Sequence, residues 1–276
     1  FGAFTSVGRN QAVTILLNQF FNPIVIAART IAVTVSNQVN TFSANFNTSL
    51  YPPIIKEYAA DNKEGMYRLI YTGSKMTFFL MWVFALPLWL HMDYVLTLWL
   101  KNPPENAILF TRLALFESLI NATALPIMTA ARAQGKMAKY ELSLGSVQVL
   151  IFITDLILLH LGFDAWVVFV VAASGNALMY ILRLVFVKLF VGLKIGVFAF
   201  NVLLPVFAIA IITSIPSFFI SKIVPNEFLF VVLSVIFCVC VTSTAMYFIG
   251  LDSINRKKIK QMIRNKIPFL KTKECS

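Results

Sequence analysis

The sequence predicts an all-α polytopic membrane bundle of about eight transmembrane helices, and three observations predict it. Only 13% of the 276 residues are charged, whereas a water-soluble domain carries about 25%; 59% are hydrophobic, with 26 Phe among them. Apolar stretches that approach or exceed the roughly 20 residues needed to cross a bilayer core recur along the chain. Lys and Arg concentrate in alternate connections, as they do in multi-pass membrane proteins.

Eight spans follow in order, each bounded by charge, Pro or Gly. The first, roughly 1–21, FGAFTSVGRNQAVTILLNQFF, is weakly polar. The second, roughly 26–51, is a long helix ended by Pro52-Pro53, and PPIIKEYAADNKEGMYRLIYTGSK after it reads as a charged loop. The third covers roughly 76–92 and leads into a short connector with Lys101 and Pro103-Pro104. The fourth, roughly 107–130, is expected to kink at Pro126. The fifth lies at about 140–161 and the sixth at about 165–187; the seventh, about 197–220, carries Pro205 and Pro216, and the eighth is about 227–250. Proline inside such spans is tolerable because neighbouring helices or water satisfy the freed carbonyls.

Taking alternate connections as one side gathers 18 of the 23 basic residues. These are Lys56, Lys63, Arg68 and Lys75, then Arg132, Lys136 and Lys139, then Arg183, Lys188 and Lys194, and eight in the tail from Arg256 onward. Arg29, Lys101, Arg112 and Lys222 fall opposite, and Arg9 lies within the first span. By the positive-inside rule the rich side is cytoplasmic, and both ends of the chain are expected there. Trp89, Trp99 and Trp166 fall near the outer boundary, where amphipathic rings favour the headgroup level. The +11 charge is therefore mostly topological. The tail run RKKIKQMIRNK would attract anionic membrane lipids, and no nucleic-acid partner is needed to account for it. The chain opens on Phe1 without a charged n-region or cleavage site, which reads as a fragment lacking its N-terminal part rather than a signal peptide.

The second span departs most from an oily helix. On a helical wheel, Thr30, Thr34, Asn37, Gln38, Thr41, Asn45 and Thr48 form one polar stripe, and Arg29, Ser36, Asn40, Ser43 and Asn47 a second. Ile31, Ala32, Val35, Val39, Phe42 and Phe46 occupy the rest. A face this polar cannot meet lipid, so it packs on other helices or lines a water-filled cavity. Interhelical hydrogen bonding explains one or two such residues; twelve, with an intramembrane Arg, favour a cavity wall. Such a wall would bind something large and hydroxyl-rich, with Arg29 on an anion. Arg29, Asn37, Asn40, Asn47, Arg9 and Gln11 are the candidate substrate-binding residues, although Arg9 reads equally as snorkelling to headgroups.

Glu117 and Asn121, four apart on the fourth span, share a face, with Arg112 less well aligned. Glu117 reads as a protonation or cation site, or as a structural partner for Arg9 or Arg29; Asp155 joins it as a candidate coupling or charge-pair residue. His91 and His160 have no metal-ligand companions at helical spacing and read as interfacial side chains. Cys238 and Cys240 fall on different helix faces and Cys275 in the tail, which gives neither metal spacing nor a disulfide framework. No nucleotide or nucleophile-elbow motif is present. Neither a cofactor nor a metal is expected, the chain does not read as an enzyme, and any driving force would be an ion gradient or substrate flux.

The string ILLNQFFNPIVIAARTIA, followed by LYPPIIKEYAADNKEGMYRLIYTGSK, LTLWLKNPPE and ARAQGK, resembles the second half of bacterial polysaccharide (O-antigen type) flippases. These belong to the multidrug/oligosaccharidyl-lipid/polysaccharide exporter superfamily, and the likeness runs over nearly all of residues 1–250. It implies a C-terminal six-helix transport lobe over 1–190, two additional transmembrane helices over 191–250 and a basic cytoplasmic tail over 251–276, with the N-terminal lobe of the same protein as a missing partner. It also implies alternating-access export of an undecaprenyl-diphosphate-linked oligosaccharide, a polysaccharide or lipopolysaccharide repeat unit, across the bacterial inner membrane. In the related lipid II flippase an Ala-Asp-Arg at the head of the equivalent helix supplies a cavity arginine. Ala27-Ala28-Arg29 stands at that place here without the Asp, and Asn22 replaces a Gly common in the preceding turn. The alternatives are a cation-coupled multidrug exporter of the same superfamily and a membrane glycosyltransferase, ligase or polymerase of the polysaccharide pathway. The first would favour an acidic, aromatic cavity, and the second a sizeable outer loop.

Overall fold

A computed structural model describes residues 2–135, 137–223, 225, 227–251 and 256, and every regular element among them is helical. In order these are α1 Gly2–Phe20, α2 Pro23–Ala59, α3 Lys63–Leu90, α4 Met92–Leu100, α5 Ala107–Ala133, α6 Ala138–His160 and α7 Val167–Val191. They continue with α8 Ile195–Ile223 and α9 Phe228–Gly250. Six of these, α3 and α5 to α9, are long and apolar enough to cross a membrane, which is compatible with a multi-pass membrane protein. The first two expected spans are helical too, with 19 residues in α1 and 37 in α2. They fall short of the six in apolarity rather than length, so composition alone supports six crossings and not eight.

Helix α2 corrects the expected boundaries at both ends. It starts at Pro23, where the Asn22 side chain accepts a hydrogen bond from the Val25 N–H at 3.2 Å and Pro occupies the first helical position. It then runs through Pro52 and Pro53 instead of stopping there. A proline inside a helix removes one N–H and crowds the carbonyl a turn earlier, at about 3 kcal/mol. Burial of the following turn offsets this, since Ile54 is fully enclosed by the bundle. The expected charged loop is thereby reduced to a turn at residues 60–62. Asp61 there has φ 53°, and the Asn62 side chain caps α3 by accepting from the Gly65 N–H at 3.1 Å. The connector after α3 also contains a helix: Met92 and Leu96 anchor α4, while Leu98 and Trp99 point outward.

Helix α5 is the hub, packing on α2, α3 and α7. Its buried side is built of small residues, including Ala114, Ser118, Ala122 and Ala130, which let neighbouring backbones come close. Pro126 sits within it beside Gly73 of α3, where a Cβ would stand 3.1 Å from the proline ring. Helix α6 packs on α1 and α7, while α8 and α9 pair with each other against α3. His91, expected at an interface with the headgroups, is buried instead, and its Nε2 lies 2.8 Å from Ser234 Oγ on α9. The α6–α7 seam depends on Gly175, because any Cβ there would run into the Ile151 side chain. Gly175→Val is therefore expected to cost about 1–3 kcal/mol by overpacking. Thermal unfolding in detergent checks this, with Gly8→Val, which has nothing within 4 Å, as the silent control.

Candidate functional site

Five helices, α1, α2, α5, α6 and α7, enclose a polar cavity of about 360 Å³. Its residues recur three or four apart, so each helix turns one face inward. Helix α1 supplies Ser6, Arg9 and Asn10; α2 supplies Arg29, Ser36, Asn37 and Asn40. Opposite them stand Glu117, Ser118 and Asn121 of α5, Gln148 and Asp155 of α6, and Asn176 and Arg183 of α7.

The two arginines near α1 are held differently. Arg29 donates through Nη1 to Thr14 Oγ1 at 2.6 Å and through Nη2 to the Asn10 carbonyl at 3.4 Å. Among the described residues no carboxylate comes within ion-pairing distance of it. Arg9 has one: its Nη2 lies 3.8 Å from Glu117 Oε1. The same carboxylate oxygen accepts from Asn176 Nδ2 at 2.6 Å, so α1, α5 and α7 meet at Glu117. Around this junction Arg9 Nε and Nη1, both carboxylate oxygens of Asp155, Gln148 Oε1 and Arg183 Nε are buried without hydrogen-bond partners among the described residues. Buried polar atoms are costly unless something polar meets them. Three guanidiniums, two carboxyl groups and several amides make a chamber fit for water and for an anionic, hydrogen-bonding ligand.

Most sequence candidates converge here: Arg29, Asn37, Asn40, Arg9, Glu117, Asn121 and Asp155 all line the cavity. Asn47 does not, since its Nδ2 donates to Thr129 Oγ1 of α5 at 3.4 Å and serves the helix seam. Gln11 lies outside the lining, exposed on α1. Arg112 belongs elsewhere as well, pairing with Asp93 at 3.2 Å and donating through Nε to the Trp89 carbonyl. Sequence reading missed Arg183, counted among connection residues but sitting within α7 at 8% exposure. It missed Asn176 and Gln148 too. Their signal was available, because Asn176 and Arg183 lie seven residues apart on one face of an otherwise apolar helix. Of the remaining single candidates, His160 stands exposed with its ring edge-on to Phe20.

The two polar stripes of α2 do separate work. The second faces inward and is partly interhelical glue: Ser43 Oγ donates to the Thr77 carbonyl at 2.7 Å and Asn40 Nδ2 to Ser118 Oγ at 2.8 Å. The first, from Thr30 to Thr48, is exposed along its whole length. Its threonines are self-satisfied, as the Thr30, Thr34, Thr41 and Thr48 hydroxyls donate to carbonyls one turn back at 2.8–3.0 Å. Gln38 and Asn45 have no such outlet. Asn37 joins the two regions, being exposed on the stripe and also part of the cavity wall.

No family model matches the chain, and no curated protein or solved structure matches it either.

Proposed function

We propose that this chain is the C-terminal portion of a flippase that carries an undecaprenyl-diphosphate-linked oligosaccharide across the bacterial inner membrane by alternating access. The observation that carries this reading is Arg29. It is a guanidinium among apolar helices, facing a polar cavity, with no carboxylate partner among the described residues. An intramembrane arginine without a counter-charge is a site for an anion, and a planar fork matches a diphosphate. At about 360 Å³ the cavity lies near the small end of ligand pockets, which run roughly 300–1,000 Å³. That suits a diphosphate headgroup better than a chain of sugars. The sugars would lie along the open stripe, where Asn37, Gln38 and Asn45 present free amides to hydroxyls, while the prenyl tail stays in lipid.

On this reading α1 and α2 also cross the membrane, which makes eight crossings with both ends of the chain cytoplasmic. Their polar sides are shielded from lipid by a second helical lobe, the N-terminal half of the same protein. Rocking of the two lobes would then expose the site to each side in turn. The connection from α3 to α5 holds only α4 and a few residues, too little for the outer domain of a transferase or polymerase.

Vesicle reconstitution tests this. The full-length protein is expected to move a fluorescent polyprenyl-diphosphate oligosaccharide between leaflets, and the 276-residue chain alone is expected not to, because half of the sugar wall is then absent. No movement by the full-length protein contradicts the substrate assignment. Movement by the chain alone contradicts the two-lobe arrangement.

A further inference from the structure

A second hollow, about 590 Å³, opens between the first turns of α3 and the start of α8, away from the polar cavity. Tyr67, Arg68, Tyr71 and Lys75 line it from α3, and Lys194 and Asn201 close it from the other side. Three cations thus face a single carboxylate, Glu64. The α3 residues recur three and four apart, so they form one face, and Arg68 and Lys75 stand about 10 Å apart along the axis.

The hollow is built rather than gathered from loose surface charge. Tyr67 Oη donates to the Val191 carbonyl at 2.6 Å, fastening α3 to the end of α7. Directly after it Gly192 takes φ 78°, and a Cβ there would stand 3.2 Å from the same hydroxyl. This left-handed turn brings the chain back so that Lys194 can close the rim. Further on, α8 widens into a π turn over Ala199–Leu203, just before Pro205, which has no N–H for the Asn201 carbonyl and would crowd it. Single π turns mark functional sites more often than chance allows, and this one carries Asn201 on the wall. At the floor Lys75 is only 5% exposed.

Its depth is also informative. Gly250, the last residue of α9, lies against the Phe79 ring of α3. Lys75 is one turn beyond that level, about 6 Å, and Arg68 about 10 Å further. The headgroup layer adds about 5–7 Å to each side of a bilayer core about 30 Å thick. The cationic ladder therefore passes through the headgroup layer.

We propose that this hollow binds the phosphodiester of an anionic phospholipid from the adjoining leaflet, with Arg68, Lys75 and Lys194 on the phosphate and the tyrosine and asparagine side chains on the headgroup hydroxyls. Basic hollows between helices at this level recognise such headgroups. The site is independent of what the central cavity carries. Native mass spectrometry of the full-length protein, released from nanodiscs containing phosphatidylglycerol and phosphatidylcholine, tests it. The wild type is expected to retain phosphatidylglycerol preferentially. In Arg68→Gln/Lys194→Gln, two exposed positions that leave the fold intact, the preference is expected to fall about 25-fold, at roughly fivefold for each interfacial cation. Lys56→Gln/Lys63→Gln, the same charge change outside the hollow, is expected to leave it unchanged, as is added inorganic phosphate. Absence of preference in the wild type, or an equal loss in the second pair, overturns the proposal. Displacement by inorganic phosphate also overturns it and marks the hollow as a free-anion site.

Discussion

Replacing Arg29 with Ala in the full-length protein is expected to abolish surface polysaccharide while membrane insertion and yield stay at the wild-type level. The side chain hydrogen-bonds only Thr14 Oγ1 and the Asn10 carbonyl, so its removal strands no buried charge. What is lost is the charge facing the cavity. Truncating one partner of a buried, hydrogen-bonded charge pair costs about 2–5 kcal/mol, which corresponds to a fall in flipping rate from roughly 30-fold to more than 1,000-fold. Arg29→Lys keeps the charge and loses the fork, so it is expected to retain partial transport. Polysaccharide staining and a membrane-fraction immunoblot of cells carrying only each variant separate transport from insertion. Normal polysaccharide in the Ala strain removes the anion-binding role.

The second large effect is expected at Glu117, and it falls on stability. Its carboxylate faces Arg9 at 3.8 Å and holds Asn176 at 2.6 Å, joining three helices inside the bundle. Glu117→Ala leaves the Arg9 guanidinium buried without its partner, and breaking a buried pair from one side costs about 3–5 kcal/mol. Replacing both members, Arg9→Met with Glu117→Gln, removes the stranded charge and is expected to recover most of that loss. Thermal unfolding of the single and double variants in detergent measures the coupling. If Glu117→Ala unfolds at the wild-type temperature and the double variant gains nothing, Glu117 is not the structural partner of Arg9, and the coupling-site reading is left in its place.

The apolar helices α5 to α9 could be placed from sequence because their boundaries are set by composition, and membrane helices must satisfy their own backbone. The errors came where local and tertiary signals compete. Pro52-Pro53 is a strong local stop, yet packing of Ile54 carries the helix past it. Asn62 is a helix start inside what read as a loop, because the capping side chain looks like any polar turn residue until its partner is known. At the site, the Arg29 stripe stood out because polar residues in an oily helix are conspicuous. Asn47 shows the limit of that signal: an amide bonded across a seam and an amide facing water have the same spacing, and only the neighbouring Thr129 tells them apart. Arg183 was missed for the converse reason, since counting cations by connection assigns a helix-end arginine to a loop when its side chain in fact turns inward.

The measurement that bears most directly on the wet face of α2 is cysteine accessibility. In full-length protein with Cys238, Cys240 and Cys275 replaced by Ala, Asn45→Cys and Asn37→Cys are expected to react with a membrane-impermeant thiol reagent and to be protected by polyprenyl-diphosphate oligosaccharide. Phe200→Cys, 69% exposed on α8, is expected to stay unreactive in lipid. If the two α2 positions are as inert as Phe200→Cys, the stripe faces hydrocarbon or a dry seam, and no aqueous path leads to Arg29.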